Sequence, residues 1–144
     1  MKNFPTIKNI MTPNPITINN EDSVSRAILK MKNNDFDHLP VVDKWNNLLG
    51  IISKSDLYRK ALHLSQNTTG KAYTTKVLFV TTAADIMTAD PVVVTPEQSV
   101  EFAVELLLQG DFHALPVVSE NRLIGIITSK DVLEFIVDQQ TLPA

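Results

Sequence analysis

The sequence predicts an α+β protein in which one β-α-β-β-α unit is built twice. Three observations predict it. The stretch from Ile10-Met11-Thr12 to Asp56 recurs as Ile86-Met87-Thr88 to Asp131, with proline, glycine and aspartate at corresponding places. Each copy carries one apolar stripe at helical spacing, and each carries short runs of leucine and β-branched residues. The offset between copies is constant from Ile10/Ile86 to Val42/Val118 and one residue shorter from Gly50/Gly125 onward. The lost residue therefore falls in a turn, where length is cheapest to change. A period this long, occurring twice, describes two small similar folds rather than a solenoid, and either alone buries little.

Each half opens with a threonine and an amide or acid three residues on, Thr6 with Asn9 and Thr82 with Asp85, which suits one capped helical turn. A short strand follows, Pro15-Ile16-Thr17-Ile18 or Pro91-Val92-Val93-Val94, with proline at the entrance where no ladder bond is lost. The next helix is marked by Thr95-Pro96-Glu97-Gln98, read as an N-cap, a proline at the first helical position and a capping-box glutamine; Asn19-Asn20-Glu21-Asp22 is the weaker counterpart. Val24, Ala27, Ile28 and Met31 match Val100, Ala103, Val104 and Leu107 at i, i+3, i+4, i+7, so each helix buries one face. Gly110 and Asn34 then stand where a left-handed C-cap is expected. Leu39-Pro40-Val41-Val42 turns through Asp43 to Asn47 into Leu48 to Ile52, and Leu115 to Val118 turns into Leu123 to Ile127, as strands covered on both faces. A last helix opens at Ser53-Lys54-Ser55-Asp56 or Thr128-Ser129-Lys130-Asp131. Ser65 to Lys71 reads as a polar loop. Tyr73 to Thr82 fits either an added strand or a connecting helix. The division that results is 1–64, a linker at 65–79, and 80–144.

Composition narrows the function. The chain has 144 residues, 44% hydrophobic and 20% charged, with a formal charge of -3 and interspersed signs. No basic stripe points to nucleic acid. The absence of cysteine removes disulfides, thiolate metal sites and thiol nucleophiles. No apolar run approaches the ~20 residues of a membrane span, and the start lacks a signal core, so a cytoplasmic protein without membrane contact is expected. His38, His63 and His113 lack zinc-site spacing, and with four glycines there is no P-loop, dinucleotide fingerprint or nucleophile elbow. No metal site, catalytic residue or enzyme activity is expected.

The ordered set of Met-Thr, Pro-led strand, helix, Leu-Pro-Val-Val, Gly-Ile-Ile-Ser/Thr and Ser/Thr-x-x-Asp, present twice over residues ~6 to ~138, resembles the cystathionine-β-synthase (CBS) domain as a tandem pair. The resemblance implies a pseudo-two-fold arrangement of the repeats, two clefts between them, and a free-standing regulatory module. It also implies an adenosyl ligand, AMP, ADP, ATP or S-adenosylmethionine, and a homodimer acting on an unknown regulated protein. In the family the aspartate of Ser/Thr-x-x-Asp accepts from ribose hydroxyls, which points to Asp56 and Asp131. Helix N-termini bind anions, and a carboxylate can accept from two vicinal hydroxyls. Capping boxes have the same form, so capping and ligand contact both stand for these two aspartates.

By that resemblance one cleft joins Ser53, Ser55 and Asp56 to Val92, Val93, Val94, His113, Ala114 and Leu115. The other joins Thr128, Lys130 and Asp131 to Ile16, Thr17, Ile18, Asp37, His38 and Leu39. The apolar members would enclose adenine or pack in the core; the histidines would face phosphate or solvent. Lys130 replaces Ser55 in the second copy, as a phosphate cation or a solvated lysine. No arginine stands at 37, 38, 113 or 114, so a monophosphate or neutral adenosyl ligand fits as well as a polyphosphate. Trp45 at a hairpin tip suggests a partner contact, while Phe36 and Phe112 suit loop burial. Two functions follow: a ligand sensor that signals to a partner through conformational change, and a structural or oligomerising module without a physiological nucleotide.

Overall fold

A helical turn leaves its first N–H groups without partners inside the helix, and the two turns that open the repeats solve this in the same way. The computed structural model describes residues 5–34, 36–66, 71–110 and 112–141. Its elements run α1 (Ile7–Ile10), β1 (Thr12–Pro13), β2 (Ile18–Asn19), α2 (Val24–Asn33), β3 (His38–Val42), β4 (Leu48–Ser53) and α3 (Lys54–Gln66). They continue as α4 (Lys71–Val80), α5 (Ala83–Ile86), β5 (Thr88–Ala89), α6 (Val100–Gln109), β6 (Ala114–Ser119), β7 (Arg122–Thr128) and α7 (Ser129–Thr141). The fold class is α+β, with two repeated units.

Two compact units divide this chain, and each takes its opening turn from the other repeat. One is continuous, Ile16–Pro91; the other is split, holding the chain up to Pro15 and from Val92 onward. In the split unit, Ile7 and Lys8 of α1 donate to the Gln98 and Pro96 carbonyls at 2.8 and 3.0 Å. In the continuous unit, Ala83 and Ala84 of α5 donate to the Asp22 and Asn20 carbonyls at 2.7 and 3.1 Å. The side chains follow the backbone. Ile7 belongs to a core with Val94, Ala103, Leu115, Val117, Ile127 and Val132. Ala83 and Ile86 belong to a core with Ile18, Val24, Ala27, Met31, Leu39, Val41, Ile52 and Leu57.

The short strands are exchanged along with the turns. The split unit's sheet has the order β1-β7-β6, and the continuous unit's sheet β2-β3-β4-β5. β1 pairs antiparallel with β7, Pro13 opposite Gly125, and β5 pairs antiparallel with β4, Ala89 opposite Gly50. These glycines exist for close approach. A Cβ on Gly50 would lie 2.7 Å from the Thr88 carbonyl oxygen, and one on Gly125 would lie 3.0 Å from that of Thr12. Only a bare backbone lets the Met-Thr segments lie this near.

Both caps of α1 and α5 form as the sequence implies. The Asn9 side-chain oxygen accepts from the Thr6 N–H at 2.9 Å, and an Asp85 carboxylate oxygen accepts from the Thr82 N–H at 3.0 Å. Hydrogen bonds from the Thr82 backbone and side chain hold the Asp85 carboxyl below its ordinary pKa, burial opposing only weakly. The hairpins form as expected, β3 with β4 and β6 with β7, each with a bulge after Val41 or Val117. Asp43 shapes the longer turn by accepting from the N–H groups of Trp45 and Asn47, both at 2.9 Å. The shorter turn uses positive φ at Glu120 and Asn121.

Four expectations change and one open alternative is decided. The Pro-led strands are brief: β2 keeps only Ile18–Asn19, parallel to β3, and its counterpart is a single bridge from Val94 to Val117. Thr95 to Gln98 and Asn19 to Asp22 form capping-type bonds, Gln98 and Asp22 accepting from the N–H groups of Thr95 and Asn19 at 2.8 and 3.2 Å, but as turns. The true N-caps lie four residues later, where the hydroxyls of Ser23 and Ser99 accept from Arg26 and Phe102 at 3.2 and 3.1 Å. Asn34 and Gly110 are extended, with φ of -131 and -104. Asn34 caps by its side chain, donating to the Lys30 carbonyl at 2.8 Å, and Gly110 leaves room for the Phe112 ring. Tyr73 to Val80 lies within helix α4, so tertiary context overrides its β propensity. The expected loop at 65–71 shrinks from both ends, because α3 reaches Gln66 and α4 starts at Lys71; 67–70 lie outside the described residues.

Candidate functional site

In the continuous unit, β4 runs directly into α3, so Ser53 is both the last strand residue and the residue ahead of the helix. Strand register sets Ser53 opposite His38. The Lys54 N–H, one of the donors that a helix start leaves free, donates to the Asp37 carbonyl at 2.7 Å. Asp37, His38, Ser53, Ser55 and Asp56 are thereby gathered at one end of the sheet. The Ser53 hydroxyl accepts from the Asp56 N–H at 3.2 Å and stands 3.5 Å from the Ser55 hydroxyl. The Asp56 carboxylate, instead of closing the capping box, is bonded to the Arg59 guanidinium one turn on.

The split unit repeats the construction with different wiring. Ala114 pairs with Thr128, and the Ser129 N–H donates to the His113 carbonyl at 3.1 Å. Here the box closes. Asp131 Oδ2 accepts from the Thr128 N–H at 2.9 Å and from its hydroxyl at 3.1 Å, while the Asp131 N–H donates back to that hydroxyl at 3.2 Å. The other oxygen, Oδ1, accepts from the Thr12 hydroxyl at 3.2 Å. That hydroxyl arrives on β1, the exchanged strand.

The apolar candidates separate into two kinds. Ile18, Leu39, Val94, Ala114 and Leu115 are buried, and all of them except Ala114 belong to the cores of their units. Ile16, Val92 and Val93 remain 44%, 46% and 39% exposed, so core packing does not account for them. The Thr17 carbonyl accepts from Lys30 Nζ at 2.6 Å. His113, Lys130 and Asp37 are exposed, and His38 is half-buried. Phe36 and Phe112 pack against the two cores, whereas Trp45 is exposed with the Lys44 ammonium 4.5 Å from its ring centroid.

Sequence reasoning missed Arg59, Thr12 and Lys30. Arg59 could have been found, since an acid and a base three apart on a helix face each other. Thr12 could not, because no local pattern reports a partner 119 residues away. Among the described residues, no group of three or more histidines and carboxylates could hold a metal ion, and no helix is long and apolar enough to cross a membrane.

The doubled fold and the two Ser/Thr-x-x-Asp helix starts define a CBS pair. The CBS domain model matches residues 7–63 and 83–138, and the chain belongs to that family. It is 38% identical over 120 residues to the inosine-5'-monophosphate dehydrogenase of Methanocaldococcus jannaschii, a match covering 83% of this chain and 21% of that enzyme. CBSX2 of Arabidopsis thaliana in complex with AMP is similar in structure, with a TM-score of 0.79 at 29% identity, covering 94% of this chain and 98% of that one. So is the CBS domain pair of protein MJ0100 in complex with 5'-methylthioadenosine and S-adenosyl-L-methionine, with a TM-score of 0.77 at 26% identity, covering 95% and 99%. The chain spans 21–42% of the length of the curated relatives it matches.

Proposed function

We propose that this chain is a non-enzymatic regulatory module that binds an adenosyl ligand, AMP, ADP, ATP or S-adenosylmethionine, at its Ser/Thr-x-x-Asp helix starts. Binding changes its conformation and so its contact with a partner protein. The observation that carries the reading is the gathering, in each unit, of an N3 aspartate, a hydroxyl N-cap and the segment ahead of the Leu-Pro strand at one sheet end. A carboxylate there can accept from a ribose diol, and hydroxyls and helix N–H groups suit a phosphate. The AMP bound by CBSX2 and the adenosyl compounds bound by MJ0100 support the ligand class. Exposure of Ile16, Val92 and Val93 supports an apolar surface for adenine.

Ser53, Ser55, Asp56, Thr128, Lys130 and Asp131 are the polar contacts in this reading, with His38 and His113 toward phosphate. The module is a cytoplasmic homodimer in the same reading; the exposed Leu133, Ile136 and Val137 of α7 offer an apolar face. Coupling to a partner requires that the two conformations bind the ligand with different affinity. A second reading, a structural module, is favoured at one end by the capping box that Asp131 closes.

Thermal unfolding with AMP, ATP and S-adenosylmethionine separates the two. A ligand at 100 times its dissociation constant stabilises the fold by about 2.7 kcal/mol. The sensor reading expects such a shift with at least one of them, lost in Asp56→Ala combined with Asp131→Ala. No shift, or one that survives both substitutions, leaves the structural module.

A further inference from the structure

We infer that Thr12 sets the affinity of the Asp131 end for a ribose diol, making the two ends unequal. The inference rests on the adenosyl reading of these helix starts and adds a residue and a rank order to it. A carboxylate offers about four acceptor positions. Asp131 has given three of them to protein donors: the Thr128 N–H, the Thr128 hydroxyl and the Thr12 hydroxyl. One position remains, and a vicinal diol needs two.

Asp56 is differently occupied. Among the described residues its carboxylate is bonded only to Arg59, through Oδ1, and the arginine side chain is 75% exposed. Oδ2 is open, and Thr88, the counterpart of Thr12 on β5, makes no bond to it. A diol can therefore dock on Asp56 without displacing a donor from another element. At Asp131 it must displace one.

Thr12 is the donor that yields. The two Thr128 bonds belong to the helix cap and are held within one turn of chain, whereas Thr12 sits exposed on a two-residue edge strand. Ligand at Asp131 thus exchanges a ribose hydroxyl for the Thr12 hydroxyl and removes one tie between β1 and α7. Thr12 acts through Asp131, as a positioning residue that also competes with the ligand.

The test titrates the full chain with AMP and with 2'-deoxy-AMP by calorimetry. Wild type should show a tighter class lost in Asp56→Ala and a weaker class lost in Asp131→Ala. Thr12→Val should tighten the weaker AMP class about tenfold, the worth of one hydrogen bond to a carboxylate. It should leave 2'-deoxy-AMP unchanged, since a single hydroxyl fits the one open position. Thr12→Ser, which keeps the donor, and Thr88→Val should both bind as wild type does. Equal classes in wild type, or a Thr12→Val variant that melts like wild type yet gains no AMP affinity, would overturn the inference while leaving the adenosyl reading standing. Absence of binding by AMP, ADP, ATP and S-adenosylmethionine alike in every variant would overturn the adenosyl reading itself.

Discussion

Gly50→Ala places a methyl group where β5 already lies. The new Cβ would stand 2.7 Å from the Thr88 carbonyl oxygen, 2.5 Å from Met87 Sδ and 2.8 Å from Met87 Cγ. The thioether can rotate away. The carbonyl cannot, because Ile51 pairs with Thr88 and Gly50 with Ala89 in the same ladder. Overpacking of this kind costs about 1–3 kcal/mol, and the entropy that alanine removes from the unfolded chain offsets about 0.4–1 kcal/mol of it. The expected net loss is about 1–2 kcal/mol, read as a lower urea midpoint by far-UV circular dichroism. At Gly125 the nearest backbone oxygen is at 3.0 Å and Met11 Sδ at 2.5 Å, so most of the penalty there comes from the methionine side chain. A double-mutant cycle should therefore couple Met11→Ala to Gly125→Ala by about 1 kcal/mol. Met87→Ala should leave a residual penalty for Gly50→Ala, since the Thr88 oxygen is still there. Wild-type stability in Gly50→Ala, or additivity of Met11 and Gly125 within about 0.5 kcal/mol, would refute the reasoning.

Ser23→Ala and Ser99→Ala should each cost about 1 kcal/mol in urea unfolding, while Thr95→Ala should leave the start of α6 protected in amide exchange. Asp131→Ala, which strips three bonds from a half-buried cap, should destabilise by about 1–2 kcal/mol; Asp56→Ala, which removes an exposed ion pair, should cost below about 1 kcal/mol. Asp85 has a folded-state pKa lowered by Thr82, so its contribution is present at pH values above the unfolded carboxylate pKa and lost as pH falls through the lowered one. Carboxyl-detected NMR should show Asp85 titrating below an ordinary aspartate, with the Thr82 amide shifting in step. The corresponding turn α1, capped by Asn9, should show no such transition.

What the sequence made legible is what depends on neighbours along the chain. The hairpins, the helix stripe through Val24, Ala27 and Met31, and the caps at Asn9 and Asp85 all rest on spacings within one element. The failures have distant causes. Thr95 to Gln98 does form the bonds its pattern promises, but α1 claims the Pro96 and Gln98 carbonyls, and Ser99 stays extended to bridge Thr6. Residues 73 to 80, which fit a strand or a connecting helix in sequence, form the helix and leave Phe79 and Val80 exposed, a choice no amphipathic pattern announces. At the candidate site, the aspartates and hydroxyls were legible from their helix-start spacing. Thr12 on Asp131 was not.

The exchange of opening segments shows why a repeat hides its own connectivity. Each Met-Thr segment needs a glycine to lie against, and the sequence offers two that satisfy the pattern equally, one in each copy. Periodicity is blind to the choice because both pairings preserve it. The structure chooses the other copy's glycine for both, Met11 with Gly125 and Met87 with Gly50. The residues that permit this are modest. Asn14 and Asp90, with φ of 48 and 49, take the left-handed conformation just ahead of Pro15 and Pro91, where the chain leaves one unit for the other. Short polar side chains tolerate that conformation best after glycine. The same exchange carries Thr12 to Asp131, so two helix starts that look alike in sequence acquire different hydrogen bonds. Each end receives a threonine in this exchange, so their inequivalence lies in the bonds each aspartate makes, Asp131 with Thr128 and Thr12 and Asp56 with Arg59.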